Sequence, residues 1–397
     1  MGLDPIAEFT GVAGLSFLVA FVNVIAVTTI RRLMLERYLS TSKPHYDFAL
    51  TLLAIAGVIA FGIRAVETRQ ESRSIRVAAI QPNVPRAQKF NPEFAQATFD
   101  RFSRLSQAAT QSQPPDLLIW PESSMPEPVL PGTASYRFVK DFAQATKTDL
   151  LLGVIDQDQA AVYNAALLVT KKGTREQRYR KVHLVPFGEY VPGRYFVPGL
   201  ARIVGDQVPD DFGFGKEYRV LRMADKEVRL APLICFEYTI GELARQFVLG
   251  GANLLANVTN DGWFLHSAES QQHLANAIFR CVETRLPMVR SANTGVTCFI
   301  DQFGRITQKL ADYTGNEFAA GVLHGNVSVP VHPRQTFYVR HGELFAKGCA
   351  VVTMLLPVFL LIGFLFRARM PPHPGCGATQ PHLIEVQSGP SNFSGRE

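Results

Sequence analysis

The chain has 397 residues, 47% of them hydrophobic and 19% charged, with a formal net charge of +6. That composition supports one large core plus appendages, and the positive charge sits beside hydrophobic segments rather than in one stripe, which favours anionic headgroups over nucleic acid. Its five cysteines, Cys235, Cys281, Cys298, Cys349 and Cys376, form no CxxC or Cys/His cluster, so neither a zinc site nor a disulfide framework is expected.

Phe9 to Ile30 is an almost uninterrupted apolar run, long enough for the ~20 residues a membrane-crossing helix needs. Asp4 and Glu8 precede it where a secretory signal would carry positive charge, and Arg31 and Arg32 follow as a stop, so a retained anchor is expected. A second run, Phe48 to Ile63, is shorter and would have to thin the bilayer or borrow flanking residues. Arg31, Arg32, Arg37 and Lys43 lie between the two, which puts this loop in the cytoplasm and sends the second helix outward. Arg64, Arg69, Arg73 and Arg76 follow that helix and oppose this orientation, but long translocated domains obey the charge rule poorly.

From Ile75 the pattern becomes that of an α/β domain. Short apolar runs bounded by Gly, Pro, Asn or Asp predict strands at Ile75–Gln81, Leu117–Trp120, Leu150–Ile155, Ala165–Val169, Val228–Cys235, Asn253–Val258, Pro287–Ala292 and Thr297–Ile300. Helical periodicity predicts Pro92–Thr110, Ala134–Thr146, Ile240–Leu249 and Ser267–Arg285, the last with Cys281 on its apolar face. Alternating strands and helices with extra hairpin strands predict a layered α/β sandwich. Gly205–Gly215 reads as a connecting loop. Gly348–Phe366 is a third apolar run of spanning length, interrupted only by Pro357, which would return the chain to the cytoplasm. The Pro-, Gly- and Ser-rich remainder is expected to be disordered. The expected organisation is a membrane region over 1–74 with helices at about 9–30 and 48–63, an α/β domain over 75–335, a third helix over 345–368 and a tail over 369–397.

Three stretches carry candidate chemistry. Leu233–Ile234–Cys235–Phe236–Glu237–Tyr238 puts a cysteine at the end of an apolar strand, on the rim where α/β proteins bind ligands, with a carboxylate two residues on. By itself such a cysteine reads as a small buried hydrophobe. In Leu118–Ile119–Trp120–Pro121–Glu122–Ser123 a carboxylate stands just past a strand end, where burial would raise its pKa and let it accept a proton. Arg180–Lys181–Val182–His183–Leu184–Val185–Pro186–Phe187–Gly188–Glu189–Tyr190 holds one lysine in an apolar segment, which is costly unless Glu189 or Glu122 pairs with it. His183 reads as structural.

Together these stretches resemble the Glu–Lys–Cys triad of the nitrilase, or carbon–nitrogen hydrolase, superfamily. The wording KVHLVPFGEYVP, with IQPNVP at Ile80–Pro85, YNAA at Tyr163–Ala166 and NVTNDGWF at Asn257–Phe264, is similar to one branch, the bacterial apolipoprotein N-acyltransferases, over roughly Ile75 to Gly321. The resemblance implies a nitrilase-like α-β-β-α sandwich flanked by transmembrane helices, with no cofactor and no metal. It also implies that Cys235 is the nucleophile, Glu122 the general base and Lys181 the oxyanion donor, supported by Glu189, Glu237 and Asn164, with Phe90, Phe236 and Trp263 near the substrate. The acyl donor would be a membrane phospholipid and the acceptor the α-amine of a diacylglyceryl-modified apolipoprotein. The enzyme would sit in the bacterial inner membrane with its catalytic domain on the periplasmic or outer face. A membrane-tethered amidase and a non-catalytic lipid- or lipoprotein-binding protein are the alternatives. The family carries more N-terminal membrane helices than the two expected here, so a lost or misassigned start, or a shortened relative, is expected. The family's CYE is CFE at Cys235–Glu237, its usual tryptophan after IQxNxP is Phe90, and its GPxQH segment reads Glu269–Ser270–Gln271–Gln272–His273.

Overall fold

The computed structural model describes residues 4–39, 44–67, 70–111, 114–172, 176–194, 196, 210–225, 227–263 and 267–369. The expected tail beyond 369, residues 205–209 of the expected loop, and Phe264 lie outside the described residues.

The chain opens with a one-turn helix α1 (Ala7–Thr10), which Gly11 separates from the long helix α2 (Val12–Leu39). Gly11 sits at φ +64°, and a Cβ there would come within 2.8 Å of the Tyr338 ring, so only glycine makes this break. The spanning segment therefore begins at Val12, and Phe9 lies outside the run in which the sequence placed it. Val12 donates its backbone N–H to Glu283 Oε1 at 3.0 Å, which sets a carboxylate on the positive end of α2. α3 (Tyr46–Glu67) pairs back on α2, where Arg32 Nη1 donates to Asp47 Oδ2 at 2.6 Å. Its apolar span, Tyr46–Ala65, is 20 residues long, so no thinning of the bilayer is required, because helical structure continues past both ends of the apolar core.

The α/β domain begins with β1 (Ser72–Gln81) and α4 (Ala95–Thr110), followed by β2 (Leu117–Trp120), α5 (Ala134–Thr146), β3 (Asp149–Gln157), β4 (Val162–Val169) and β5 (Glu176–Arg180). A second series comprises β6 (Leu221–Arg222), β7 (Arg229–Ile234), α6 (Gly241–Leu249), β8 (Leu254–Thr259), α7 (Glu269–Thr284), β9 (Met288–Ala292), β10 (Cys298–Ile300) and β11 (Ile306–Lys309). β12 (Gly321–Pro330) then returns to the first series and pairs antiparallel with β1. The strands form two six-stranded sheets, ordered β12-β1-β2-β3-β4-β5 and β11-β10-β9-β8-β7-β6.

Alternation along the strands shows how the layers stack. Val77, Ala79, Leu117 and Ile119 share a core with Leu230, Leu233, Leu255 and Val258 of the other sheet, whereas Ala78, Ile80, Leu118 and Trp120 pack with Phe102, Val139 and Ala143 of α4 and α5. Leu243 and Phe247 of α6 and Leu274 and Cys281 of α7 join the core of the second sheet. The result is the expected α-β-β-α sandwich, with β2 buried on both faces as a strand between two layers must be.

β5, β6, β11 and β12 were not expected as strands. β5 and β11 are polar or exposed edge segments, β6 has two residues, and β12 is broken up by Gly321 and Gly325, so none shows the apolar run that marks an interior strand. The predicted strand Val228–Cys235 stops at Ile234, and Cys235 belongs to the 3-10 turn Cys235–Thr239. After the short helix α8 (Phe337–His341) the chain enters α9 (Leu344–Arg369). From Gly348 onward the chain is a separate unit, and the stretch Leu344–Leu365 is long and apolar enough to cross a membrane.

Candidate active site

β5 runs in the same direction as β2 and β3, because β4 is antiparallel to both β3 and β5. Glu122 and Lys181 consequently follow the C-terminal ends of strands in one sheet, while Cys235 follows that of β7 in the other. Glu122 reaches its place because β3 carries Gly153, where a Cβ would lie 2.5 Å from Glu122 Cα. Gly153 also donates its N–H to Pro121 O at 3.1 Å and accepts from Ser124 N at 2.9 Å, so the turn bearing Glu122 is laced to β3 on both sides.

One amide links the acidic members. Asn164 Nδ2 donates to Glu122 Oε1 and to Glu189 Oε1, each at 2.7 Å, and Lys181 Nζ donates to Glu189 Oε2 at 2.7 Å. Val185 N, at 2.8 Å, also donates to Glu189 Oε2. Of the two partners open to Lys181 in the sequence, Glu189 makes the ion pair. Both members are buried, and the attraction between them is correspondingly little screened.

Burial raises the Glu122 pKa above its ordinary value, with Lys181 and the Asn164 donor opposing and Glu189 adding to the rise. Burial alone would lower the pKa of Lys181, but the Cys235 sulfur once it ionises, and the Glu189 and Glu122 carboxylates, raise it by more, and Lys181 stays cationic. Burial pushes the Cys235 thiol up to about 12, the Glu122 carboxylate adds to that, and Lys181 opposes it. Glu122 and Lys181 are linked through Asn164 and Glu189, and both act electrostatically on the Cys235 thiol. The resting thiol is neutral and needs a base to react.

Cys235 has φ +50°, an angle that ordinary side chains avoid at a cost of about 1–2 kcal/mol. Glu237 supports the turn that imposes it. Its Oε2 accepts Ile234 N at 3.0 Å, while Oε1 accepts the Tyr179 hydroxyl at 2.7 Å, Val182 N at 2.9 Å and His183 N at 3.1 Å. One carboxylate thus ties the cysteine turn to the chain on either side of Lys181. Burial lifts its pKa to about 7, against the pull of Lys181 and these donors. His183 contributes its backbone here, in keeping with the structural part expected of it.

Phe90 is 49% exposed at φ +63° and, with Ser123, lines a small cavity beside the Glu122 turn. Phe236 is half-buried within the cysteine turn, and Trp263, 47% exposed, ends the turn that follows β8, the parallel neighbour of β7. The aromatic residues therefore lie on loops at the same strand ends as the triad, with Phe90 on the Glu122 side and the other two on the Cys235 side.

The sequence reading passed over several residues. Lys89 Nζ donates to Glu122 O at 3.0 Å, and burial lowers its pKa to about 8 despite nearby Glu122 and Cys235. Its only sequence signal was its place before Phe90. Asn257 Nδ2 donates to Leu233 O at 2.9 Å and bridges the ends of β7 and β8. Arg290 Nη2 donates to both Asp261 oxygens at 2.9 Å with both residues wholly buried, fixing the loop after β8. Asn257 and Asp261 lay within the quoted NVTNDGWF stretch, but nothing local identified their partners. Among the described residues no cluster of three His, Cys, Asp or Glu side chains is arranged to hold a metal ion.

Residues 76–327 match the carbon–nitrogen hydrolase family. The chain is 35% identical over 351 residues to "Apolipoprotein N-acyltransferase" of Geobacter metallireducens, covering 87% of this chain and 65% of that protein. It is 30% identical over 376 residues to "Apolipoprotein N-acyltransferase" of Chlorobaculum tepidum, covering 88% and 68% of the respective chains. With "Apolipoprotein N-acyltransferase 1" of Treponema denticola the identity is 28% over 402 residues, covering 93% and 72%. The chain spans slightly under two thirds of the Geobacter relative's length.

Proposed function

Because the chain belongs to the carbon–nitrogen hydrolase family, and within it to the apolipoprotein N-acyltransferases, we propose that it is a membrane acyltransferase with Glu122, Lys181 and Cys235 as its catalytic residues. It moves a fatty acyl group from a phospholipid to the α-amine of a diacylglyceryl-cysteine at a lipoprotein N-terminus. The observation that carries this reading is the pairing of a cysteine–glutamate–lysine constellation with three helices long and apolar enough to cross a membrane.

In the first half-reaction Glu122 takes the Cys235 proton as Sγ attacks the ester carbonyl, and the tetrahedral oxyanion is held by Lys181. The C–O bond then breaks, Glu122 returns the proton to the departing lysophospholipid oxygen, and the acyl group remains as a thioester. In the second, the acceptor amine attacks the thioester carbonyl and gives its proton through Glu122 to the departing Cys235 sulfur, leaving an amide and free thiol. Asn164 and Glu189 hold the base and the lysine in register, and Glu237 holds the cysteine turn. The catalytic domain faces the outer side of the inner membrane, consistent with the basic loop between α2 and α3.

Incubation of the purified protein with a phospholipid radiolabelled in its acyl chain tests this directly. Label is expected on Cys235, absent from Cys235→Ala, and discharged onto an added diacylglyceryl-cysteine peptide. Discharge to water at the same rate without the peptide would favour an amidase-like hydrolase, and no label on the unaltered protein would reject the mechanism.

A further inference from the structure

Arg64, in the last turn of α3, has no part in the proposed acyl transfer. With Arg285 and Arg334 it lines a cavity of about 310 Å³ between the α1 turn, the end of α3 and the folded domain. Glu8 and Phe9 come from the turn before α2, Phe61 and Arg64 from α3, Arg285 from the end of α7 and Arg334 from the segment after β12. α2 begins and α3 ends on this side, where β1 follows within a few residues. The cavity therefore lies where the spanning helices meet the folded domain.

Arg285 is the residue that needs an explanation. Its side chain is 5% exposed and its Nε donates to Glu8 Oε2 at 2.6 Å. Its Nη1 and Nη2 nevertheless have no hydrogen-bond partner among the described residues. Leaving charged donors unused in a buried place is costly, and the arrangement becomes favourable when an anion enters beside them. Arg64 and Arg334 form no ion pair among the described residues, so the lining sets three guanidiniums against one carboxylate that is already engaged. Planar guanidinium forks match phosphate oxygens in geometry as well as charge. The edge-to-face rings of Phe9 and Phe61, with centroids 5.2 Å apart, supply an apolar wall on the helix side.

We propose that this cavity binds the phosphate of a phospholipid headgroup, holding a lipid that is not the acyl donor and that joins the helix pair to the folded domain. The proposal is independent of the acyl-transfer chemistry. It predicts that a phosphate-bearing lipid stabilises the protein through Arg64, Arg285 and Arg334 even when its chains cannot be transferred.

The test uses the full chain in detergent, with thermal unfolding and native mass spectrometry as readouts. The probe is a short-chain diether phosphatidylglycerol, whose ether links cannot acylate Cys235. Arg285→Gln would leave Glu8 buried without its partner and so perturb folding itself, so the deciding variant is the double exposed change Arg64→Gln with Arg334→Gln. The diether lipid is expected to raise the unfolding temperature saturably and to survive as one bound adduct, with half-saturation at least tenfold higher in the double variant. A neutral dialkylglycerol is expected to give no saturable rise. Equal half-saturation in the double variant, or an equal effect of the neutral lipid, would overturn the proposal. An equal rise with inorganic phosphate alone would identify a soluble phosphate as the ligand and overturn the lipid assignment.

Discussion

Asn164 is the residue on which the proposed chemistry turns most sharply, because one amide group serves both Glu122 and Glu189. Its N–H favours the charged form of Glu122, partly offsetting the rise that burial causes. In Asn164→Ala the Glu122 pKa should move further up, and the acid limb of the pH profile for Cys235 acylation should move to higher pH. The base must be deprotonated to take the thiol proton, so activity rises with pH through the Glu122 pKa, and a higher pKa postpones that rise. A hydrogen bond to a charged group contributes about 1.5–3 kcal/mol, so a rate loss of about ten- to hundredfold at neutral pH is expected. Single-turnover acylation across pH measures both effects; an unshifted limb would dissociate Asn164 from the base. Lys181→Ala should cost about 10²–10³ in acylation rate, the usual loss for a missing oxyanion donor, and should also leave Glu189 buried without its cation.

At the scale of elements, the site depends on two places where backbone segments are drawn together. Gly153 allows the Glu122 turn to lie directly on β3, and Gly153→Ala would force a Cβ to within 2.5 Å of Glu122 Cα. Such overpacking typically costs about 1–3 kcal/mol, and here the displaced residue is the proposed base. A lowered unfolding temperature together with slow Cys235 acylation is expected, and a fully active Gly153→Ala protein would show that the turn adapts. Glu237 draws together the β5 end and the cysteine turn through four accepted hydrogen bonds. Glu237→Gln must turn an N–H toward one set of these donors, leaving buried groups unpaired at about 1–3 kcal/mol each. Thermal unfolding of that variant is expected to fall by several degrees, with Cys235 less reactive toward alkylating reagents because its turn is no longer held at φ +50°.

For the whole molecule, the three long apolar helices decide how the protein is handled. Phe17, Val24 and Met34 on α2, Leu50 and Leu53 on α3, and Val352, Leu360 and Phe364 on α9 are exposed to the surroundings. At roughly 25 cal/mol per Å² of apolar surface, so many uncovered side chains require lipid or detergent around them. The chain is expected to stay with membranes through alkaline carbonate washing and to aggregate when detergent is removed. Recovery in the carbonate supernatant would contradict the spanning assignment. The proposed outward orientation predicts that a membrane-impermeant thiol reagent reaches the Cys235 domain in intact spheroplasts, and not in inverted vesicles.

Sequence alone was sufficient wherever one stretch carried the information. The apolar runs announced the spanning helices, the period-2 and 3.6 patterns announced most interior strands and helices, and the family wording around Glu122, Lys181 and Cys235, rather than their strand ends alone, marked them as candidates. It fell short at β5, β11 and β12, which lie at sheet edges or pair across long separations and so lack an apolar run of their own. Only the tertiary structure could choose Glu189 over Glu122 as the ion-pair partner of Lys181, reveal Lys89 against the Glu122 turn, or bring Glu8, Arg64, Arg285 and Arg334 around one cavity. A side chain's chemical character is local and can be read from the chain. Its partner, its degree of burial and hence its charge state depend on which distant segments are folded against it.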